Sequence, residues 1–152
     1  MENKKAPMFT LENQKGEKVS LKQELENNMV LLYFYPKDMT PGCTTEGIGF
    51  SDRVAKYKKA GVTVFGISAD SIERHAKFCE KEFLKIDLLS DEDKQVCEKY
   101  GVWIEKSMYG KKYMGISRES FLIGKDGKVI KHWEKVKPVL HPDEVLEFVD
   151  SL

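Results

Sequence analysis

Three cysteines, Cys43, Cys79 and Cys97, are the residues of this 152-residue chain best suited to covalent chemistry. Their number is odd and no C-x-x-C pair occurs, which argues against a disulfide framework and a zinc cluster. Cys43 differs from the other two in its neighbours. It lies in Pro36-Lys37-Asp38-Met39-Thr40-Pro41-Gly42-Cys43-Thr44-Thr45-Glu46, between an apolar run and a helix-start signature with Thr40 at the cap and Pro41 at the first helical position. A sulfur in the first helical turn faces free backbone N–H groups and the positive end of the helix dipole, which favours a thiolate, and a thiolate is a nucleophile. The plain alternative is a small buried hydrophobe, a common role of free cysteine. His75, His132 and His141 are scattered without ligand spacing, and H-E-x-x-H, G-x-G-x-x-G and the P-loop pattern are absent. No metal, nucleotide or flavin is expected.

The elements that must hold Cys43 follow from pattern. Phe9–Leu11 and Val19–Leu21 flank Asn13-Gln14-Lys15-Gly16 and predict a small N-terminal hairpin. Met29–Tyr35 predicts a buried strand stopped by Pro36, which cannot donate to a ladder. A helix is expected from Pro41 to Ala60 with Gly61 at its C′ position, then a second buried strand over Val62–Ser68. That is a βαβ unit with parallel strands. Asp70 and Glu73 resemble a capping box for a helix reaching Leu84, with Ile72, Ala76, Cys79 and Phe83 as its apolar stripe. Ile86–Leu89 is a short apolar stretch, Glu92–Tyr100 a helix ended by Gly101, and Val102–Met114 a glycine-punctuated loop. Glu119–Ile123 and Val129–Trp133 flank Asp126-Gly127 as a hairpin, and a last helix starts near Pro142. The order implies one α/β domain over residues 1–152, a mixed central sheet with helices on both faces.

Composition narrows the function classes. Lys+Arg and Asp+Glu number 25 each, for a formal net charge of zero, so electrostatic attraction to nucleic acid or anionic lipid has no support. The longest apolar run is far shorter than the roughly 20 residues of a membrane-spanning helix. Met1-Glu2-Asn3-Lys4-Lys5 opens no apolar signal segment, so the expected location is cytoplasmic.

The spacing Pro36-x-x-x-Thr40-x-x-Cys43 matches the active-site motif of the peroxiredoxins. The full segment resembles the version in the bacterioferritin comigratory protein, or peroxiredoxin Q, subfamily. Ala6–Leu11, Val64–Ser68 and Ser117–Ile123 resemble three further family segments in the right order, so the resemblance covers most of the chain. It implies a thioredoxin-like fold and a thiol-dependent peroxidase for hydrogen peroxide and small organic hydroperoxides. On that likeness Cys43 is the peroxidatic cysteine, oxidised to a sulfenic acid. Thr40 and the Cys43 N–H hydrogen-bond the peroxide. Arg118 stabilises the thiolate and the developing oxygen charge, Pro36 shapes the pocket, and Glu46 orients Arg118. The bland readings are a cap for Thr40, a strand stop for Pro36 and a solvated charge for Arg118.

Many members of the subfamily carry a second cysteine five residues after the first, where this chain has Ile48. Two readings stay open: a one-cysteine enzyme, or resolution by a thiol elsewhere. Cys79, 36 residues after Cys43, is the candidate by likeness to some peroxiredoxin Q proteins, against a core role on its helix; Cys97 reads as structural. A Cys43–Cys79 disulfide would be recycled by thioredoxin or a similar dithiol. It would require the helix at Gly42, Gly47 and Gly49 to unwind locally. A redox sensor whose turnover is incidental is the competing function, and the assembly is expected to be a monomer, with a dimer as the alternative.

Overall fold

The structure is a computed structural model that describes residues 1–152. In chain order it comprises β1 (Thr10–Glu12), β2 (Lys18–Ser20), α1 (Leu21–Glu24), β3 (Met29–Phe34), α2 (Pro41–Asp52), α3 (Val54–Lys59), β4 (Val62–Ser68), α4 (Ile72–Glu82) and β5 (Asp87–Ser90). The remainder comprises α5 (Gln95–Lys99), β6 (Trp103–Met108), β7 (Lys111–Ile116), β8 (Glu119–Ile123), β9 (Val129–Trp133) and α6 (His141–Asp150). Seven strands form one mixed sheet in the order β2-β1-β5-β4-β3-β8-β9. β3, β4 and β5 are parallel, as the βαβ reading requires, while β8 joins β3 and β9 joins β8 antiparallel.

β3 is apolar throughout because both its faces are covered. Its alternate residues divide the core: Leu31, Tyr33 and Tyr35 pack with Cys43, Phe50, Tyr57, Phe78 and Val145 of the helices α2, α3, α4 and α6. Val30, Leu32 and Phe34 pack with Leu21, Val96, Cys97 and Tyr100 on the other side. Helices therefore lie on both faces, and β3 ends with its carboxyl end pointing at the start of α2.

Three expectations are corrected. The helix foreseen over Pro41–Ala60 breaks at Arg53 (φ −106°, ψ 8°). There the Arg53 N–H turns to Phe50 O, and its Nη1 donates to Gly49 O at 2.8 Å, so the side chain takes over the carbonyl that a continued α-helix would have used. α4 is capped by Ser71, whose hydroxyl accepts from Arg74 N, and not by Asp70, whose carboxylate is engaged elsewhere. Its buried residues are His75 and Phe78; Phe83 is 84% exposed because the chain leaves the helix there through the left-handed region (φ 52°). Finally, Val102–Met114 is no loop. β6 and β7 pair as a separate two-stranded sheet around Tyr109 (φ 53°) and Gly110 (φ 77°). Most of its side chains are exposed, so no apolar alternation announced it.

Gly66, in β4 opposite Tyr33, is the tightest position of the sheet: a Cβ there would lie 2.7 Å from Tyr33 Cζ and 2.8 Å from Leu88 Cδ2. Gly66→Ala is expected to destabilise the fold by about 1–3 kcal/mol through overpacking. Urea unfolding followed by far-UV circular dichroism measures it, and an unshifted midpoint would contradict this packing.

Candidate active site

The β3 ladder ends where Tyr35 N–H donates to Ile67 O (3.1 Å), and half-buried Pro36 turns the chain away. Residues 36–40 then lead into α2, whose buried residues include Cys43, Glu46, Gly47 and Phe50. These are positions i, i+3, i+4 and i+7 of one helix face. A thiol and a carboxylate are thus carried inward side by side. Thr40 occupies the N-cap position, but its hydroxyl donates to Lys37 O (2.8 Å) and bonds no helix N–H; the first helical bond is Thr44 N–H to Thr40 O.

Arg118, one residue before β8, reaches both groups. Its Nη1 donates to Glu46 Oε1 at 2.7 Å and its Nη2 lies 3.4 Å from Cys43 Sγ. Gly42 allows the approach, since a Cβ there would sit 3.1 Å from Arg118 Nη2. Burial disfavours the Arg118 cation, but Cys43 and Glu46 outweigh it and hold its pKa above the ordinary value. Burial pushes the Glu46 carboxyl up to about 7, although Arg118 pulls it the other way. The asymmetry has a cause: the guanidinium has two partners, whereas Glu46 Oε2 is buried with none. Lys106 of β6 adds a second cation. Its ammonium donates to Ile116 O, and its pKa is lowered by burial and by Arg118 and raised by Cys43.

A nucleophilic sulfur is expected to be reachable by solvent, and this one is closed off. Cys43 is 1% exposed because residue 43 falls on the buried stripe of α2. It is covered by a guanidinium as well as by hydrocarbon. The cleft of about 340 Å³ lined by Glu24, Val54, Val62 and Ile86 lies toward the other end of β4 and takes no part.

Cys79 is half-buried on α4, packed against the same apolar cluster as Cys43, and both thiols are free. Burial first, then the charges of Asp38 and Asp87, pushes its thiol up to about 12. The Tyr33 hydroxyl is also buried without a partner. Burial and the charges of Glu46, Asp38, Cys43 and Cys79 all oppose its ionisation. Ile48, the position at which the resemblance implies a second cysteine in many members of the subfamily, is half-buried. Cys97 lies in the other core cluster, its N–H bonded to Asp91 Oδ2 (2.8 Å), with burial and Asp91 raising its thiol pKa.

Cys43, Arg118 and Glu46, read from the sequence, are brought together. A second cluster beside them was missed. Asp38 is bonded by Tyr35, His75, Asp70 and Arg74, drawn from the end of β3, the segment after β4 and α4. The signal was available: Asp38 lies five residues before Cys43, and His75 one helical turn before Cys79. Asp38, Asp70 and His75 converge as metal ligands do. Arg74 and Ser68 already occupy the Asp70 carboxylate, and Tyr35 the free oxygen of Asp38, so the cluster is closed by the chain's own donors.

Comparison with known proteins gives the arrangement a family. The AhpC/TSA family model matches residues 3–132. Peroxiredoxin Bcp of Escherichia coli is 51% identical over 144 residues, covering 95% of this chain and 92% of that protein. Peroxiredoxin Bcp of Bacillus subtilis is 44% identical over 148 residues, covering 97% and 94%. Among solved structures, peroxiredoxin Q of Xanthomonas campestris superposes with a TM-score of 0.89 at 39% identity, covering 94% of this chain and 90% of that one. A cysteine-to-serine variant of Xylella fastidiosa PrxQ gives 0.90 at 32% identity, covering 99% and 98%. A mixed thioredoxin-fold sheet agrees with that likeness, and the chain belongs to the AhpC/TSA family as a thiol peroxidase of the Bcp, or peroxiredoxin Q, type.

Proposed function

We propose that Cys43 is the peroxidatic sulfur and that hydrogen peroxide and small organic hydroperoxides are the substrates. The carrying observation is the Arg118 guanidinium, 3.4 Å from Cys43 Sγ and anchored behind by Glu46. The Cys43 thiolate attacks one peroxide oxygen, the O–O bond breaks, Cys43 becomes a sulfenic acid, and the departing alkoxide or hydroxide takes up a proton. Arg118 stabilises the charge that moves onto the oxygens. Glu46 fixes the guanidinium, Thr40 and the Cys43 N–H hold the peroxide, and Pro36 walls the pocket. The alkyl peroxide reduction studied in trapped complexes of the Xanthomonas campestris protein supports the organic part of this substrate range.

Cys79 resolves the sulfenic acid in this reading, giving an intramolecular disulfide recycled by thioredoxin or a similar dithiol. Two cysteines replaced in turn in the Xanthomonas campestris protein stand as far apart as Cys43 and Cys79, which supports the assignment. One observation favours a one-cysteine enzyme instead: with its thiol pushed up to about 12, Cys79 is a poor nucleophile while α2 is folded. Unwinding of the first turns of α2 would lessen the burial that is the largest cause of that rise. We further place the protein as one domain working as a monomer in the cytoplasm, a reducing compartment in which a dithiol can recycle the disulfide.

Cys43→Ser is expected to abolish peroxide turnover with a dithiol reductant. Arg118→Met should lower kcat/KM by roughly 10²–10³-fold, the scale of losing one transition-state donor. Steady-state peroxide consumption reads both, and activity retained in Cys43→Ser would sink the assignment.

After one equivalent of peroxide, peptide mapping should find a Cys43–Cys79 disulfide, with weakened amide protection over residues 42–49. A sulfenic or sulfinic Cys43 with Cys79 free would support the one-cysteine reading.

Glu46 predicts a pH effect. Its folded pKa of about 7 lies above the ordinary value of 4.5, so its contribution to stability is full below 4.5 and is lost as pH rises through 7. Between pH 4 and 8 the wild type should lose on the order of 3 kcal/mol relative to Glu46→Gln. Urea unfolding of the two proteins at both pH values measures this difference.

A further inference from the structure

The segment leading into α2 is clamped at Asp38 by contacts that the peroxide chemistry does not use. Asp38 is wholly buried; its Oδ1 accepts from the Tyr35 hydroxyl (2.5 Å) and its Oδ2 faces His75 Nδ1 (2.6 Å). Its backbone is gripped as well, the N–H donating to Asp70 Oδ2 (2.9 Å) and the carbonyl accepting from Arg74 Nη2 (3.1 Å). His75 Nε2 faces the Leu89 carbonyl (3.0 Å), which can only accept, so the ring is tied at both ends, to the 36–40 segment and to β5. Arg74 and His75 lie on α4, the helix that carries Cys79, and Asp70 lies just before it. The chain leaves the clamp through Met39, held at φ 64°.

We propose that Asp38, His75 and Tyr35 form a positioning latch for disulfide closure: they make the 36–38 segment and α4 one body, so that when α2 unwinds, the Cys43 sulfenic acid swings on a short tether anchored beside Cys79. The inference rests on the reading that Cys79 resolves. From Asp38 to Cys43 is five residues, which extended reach about 17 Å. His75 and Cys79, four apart, share a helix face with Cβ atoms about 5–6 Å apart. The anchor therefore lies well within the tether's reach of the target thiol, and so short a loop closes at small entropic cost and high effective concentration. Without the clamp, the tether runs back to the β3 ladder and is no longer pinned to α4. In the closing step the Cys79 sulfur bonds to the Cys43 sulfur and the S–O bond of the sulfenic acid breaks. The hydroxyl leaves with the Cys79 proton as water, the thiol sulfur being oxidised and the sulfenic sulfur reduced.

The test separates the two steps in the full-length reduced protein mixed with one equivalent of hydrogen peroxide and quenched over time. Sulfenic acid, trapped with a 1,3-dione, and disulfide are both read by intact mass. For His75→Gln and Asp38→Asn, sulfenic acid formation should stay within about threefold of wild type while closure slows about tenfold or more, and sulfinic acid should appear at lower peroxide. Tyr35→Phe removes one bond and keeps the Asp38–His75 pair; it should slow closure by a smaller factor, and it carries the test if the other two fail to fold. Closure at the wild-type rate, or equal slowing of both steps, overturns the latch while leaving the Cys79 reading intact. A wild-type protein that holds sulfenic or sulfinic Cys43 with Cys79 free overturns both.

Discussion

Arg118 is a cation with 18% of its side chain exposed, and a charge so placed is tolerable only with partners that answer it. Both partners come from one face of α2, the sulfur at 43 and the carboxylate at 46, so the helix fixes the guanidinium as much as the guanidinium fixes the helix. On the proposed chemistry this balance changes. Oxidation of Cys43 to a sulfenic acid would leave a neutral group facing Arg118, and the helix would be held less firmly after the first step.

The two sulfurs of one apolar cluster are set apart by the charges around them. Cys43 faces the cations Arg118 and Lys106, whereas Cys79 faces Asp38 and Asp87, which together with burial push its thiol up to about 12. Under the proposed assignment, a peroxide arriving in the folded state therefore meets one nucleophile. The glycines of α2 take part in the same arrangement. They reduce helix propensity, but two of them are also sites of close approach: Gly42 admits Arg118, and Gly49 admits Pro142, whose Cγ would lie 2.7 Å from an added Cβ.

The βαβ unit, the β8–β9 hairpin and Cys43 could be read from the sequence because each has a local signature: apolar β-branched runs, an Asp-Gly turn, a motif at fixed spacing. Glu46 and Arg118 were legible only through the resemblance to peroxiredoxin segments. What escaped was set by tertiary contacts. Arg53 breaks a helix that propensity would continue, because its own side chain takes the Gly49 carbonyl. The β6–β7 hairpin shows no alternation because most of its side chains are exposed. The burial of Cys43 followed from the i, i+3, i+4, i+7 stripe through Glu46, Gly47 and Phe50, a pattern obscured by the polarity of Glu46. The Asp38 cluster joins residues 37 positions apart in sequence, and the placing of Asp38 and His75 near the two cysteines hinted at a role without pairing them.

Two buried polar atoms in this region, the Tyr33 hydroxyl and Glu46 Oε2, have no partner, and each such atom costs roughly 1–3 kcal/mol relative to a satisfied one. The folded site thus combines strong bonds at Arg118 and Asp38 with unsatisfied groups between them. Unwinding the first turns of α2 would let water reach those groups, offsetting part of the helix hydrogen bonds lost. A segment built in this way opens locally at much less cost than the sheet it rests on. The strong contacts at Asp38 lie just before that segment and the unsatisfied ones within reach of it, so the opening is directed to α2 while residues 36–38 stay with α4.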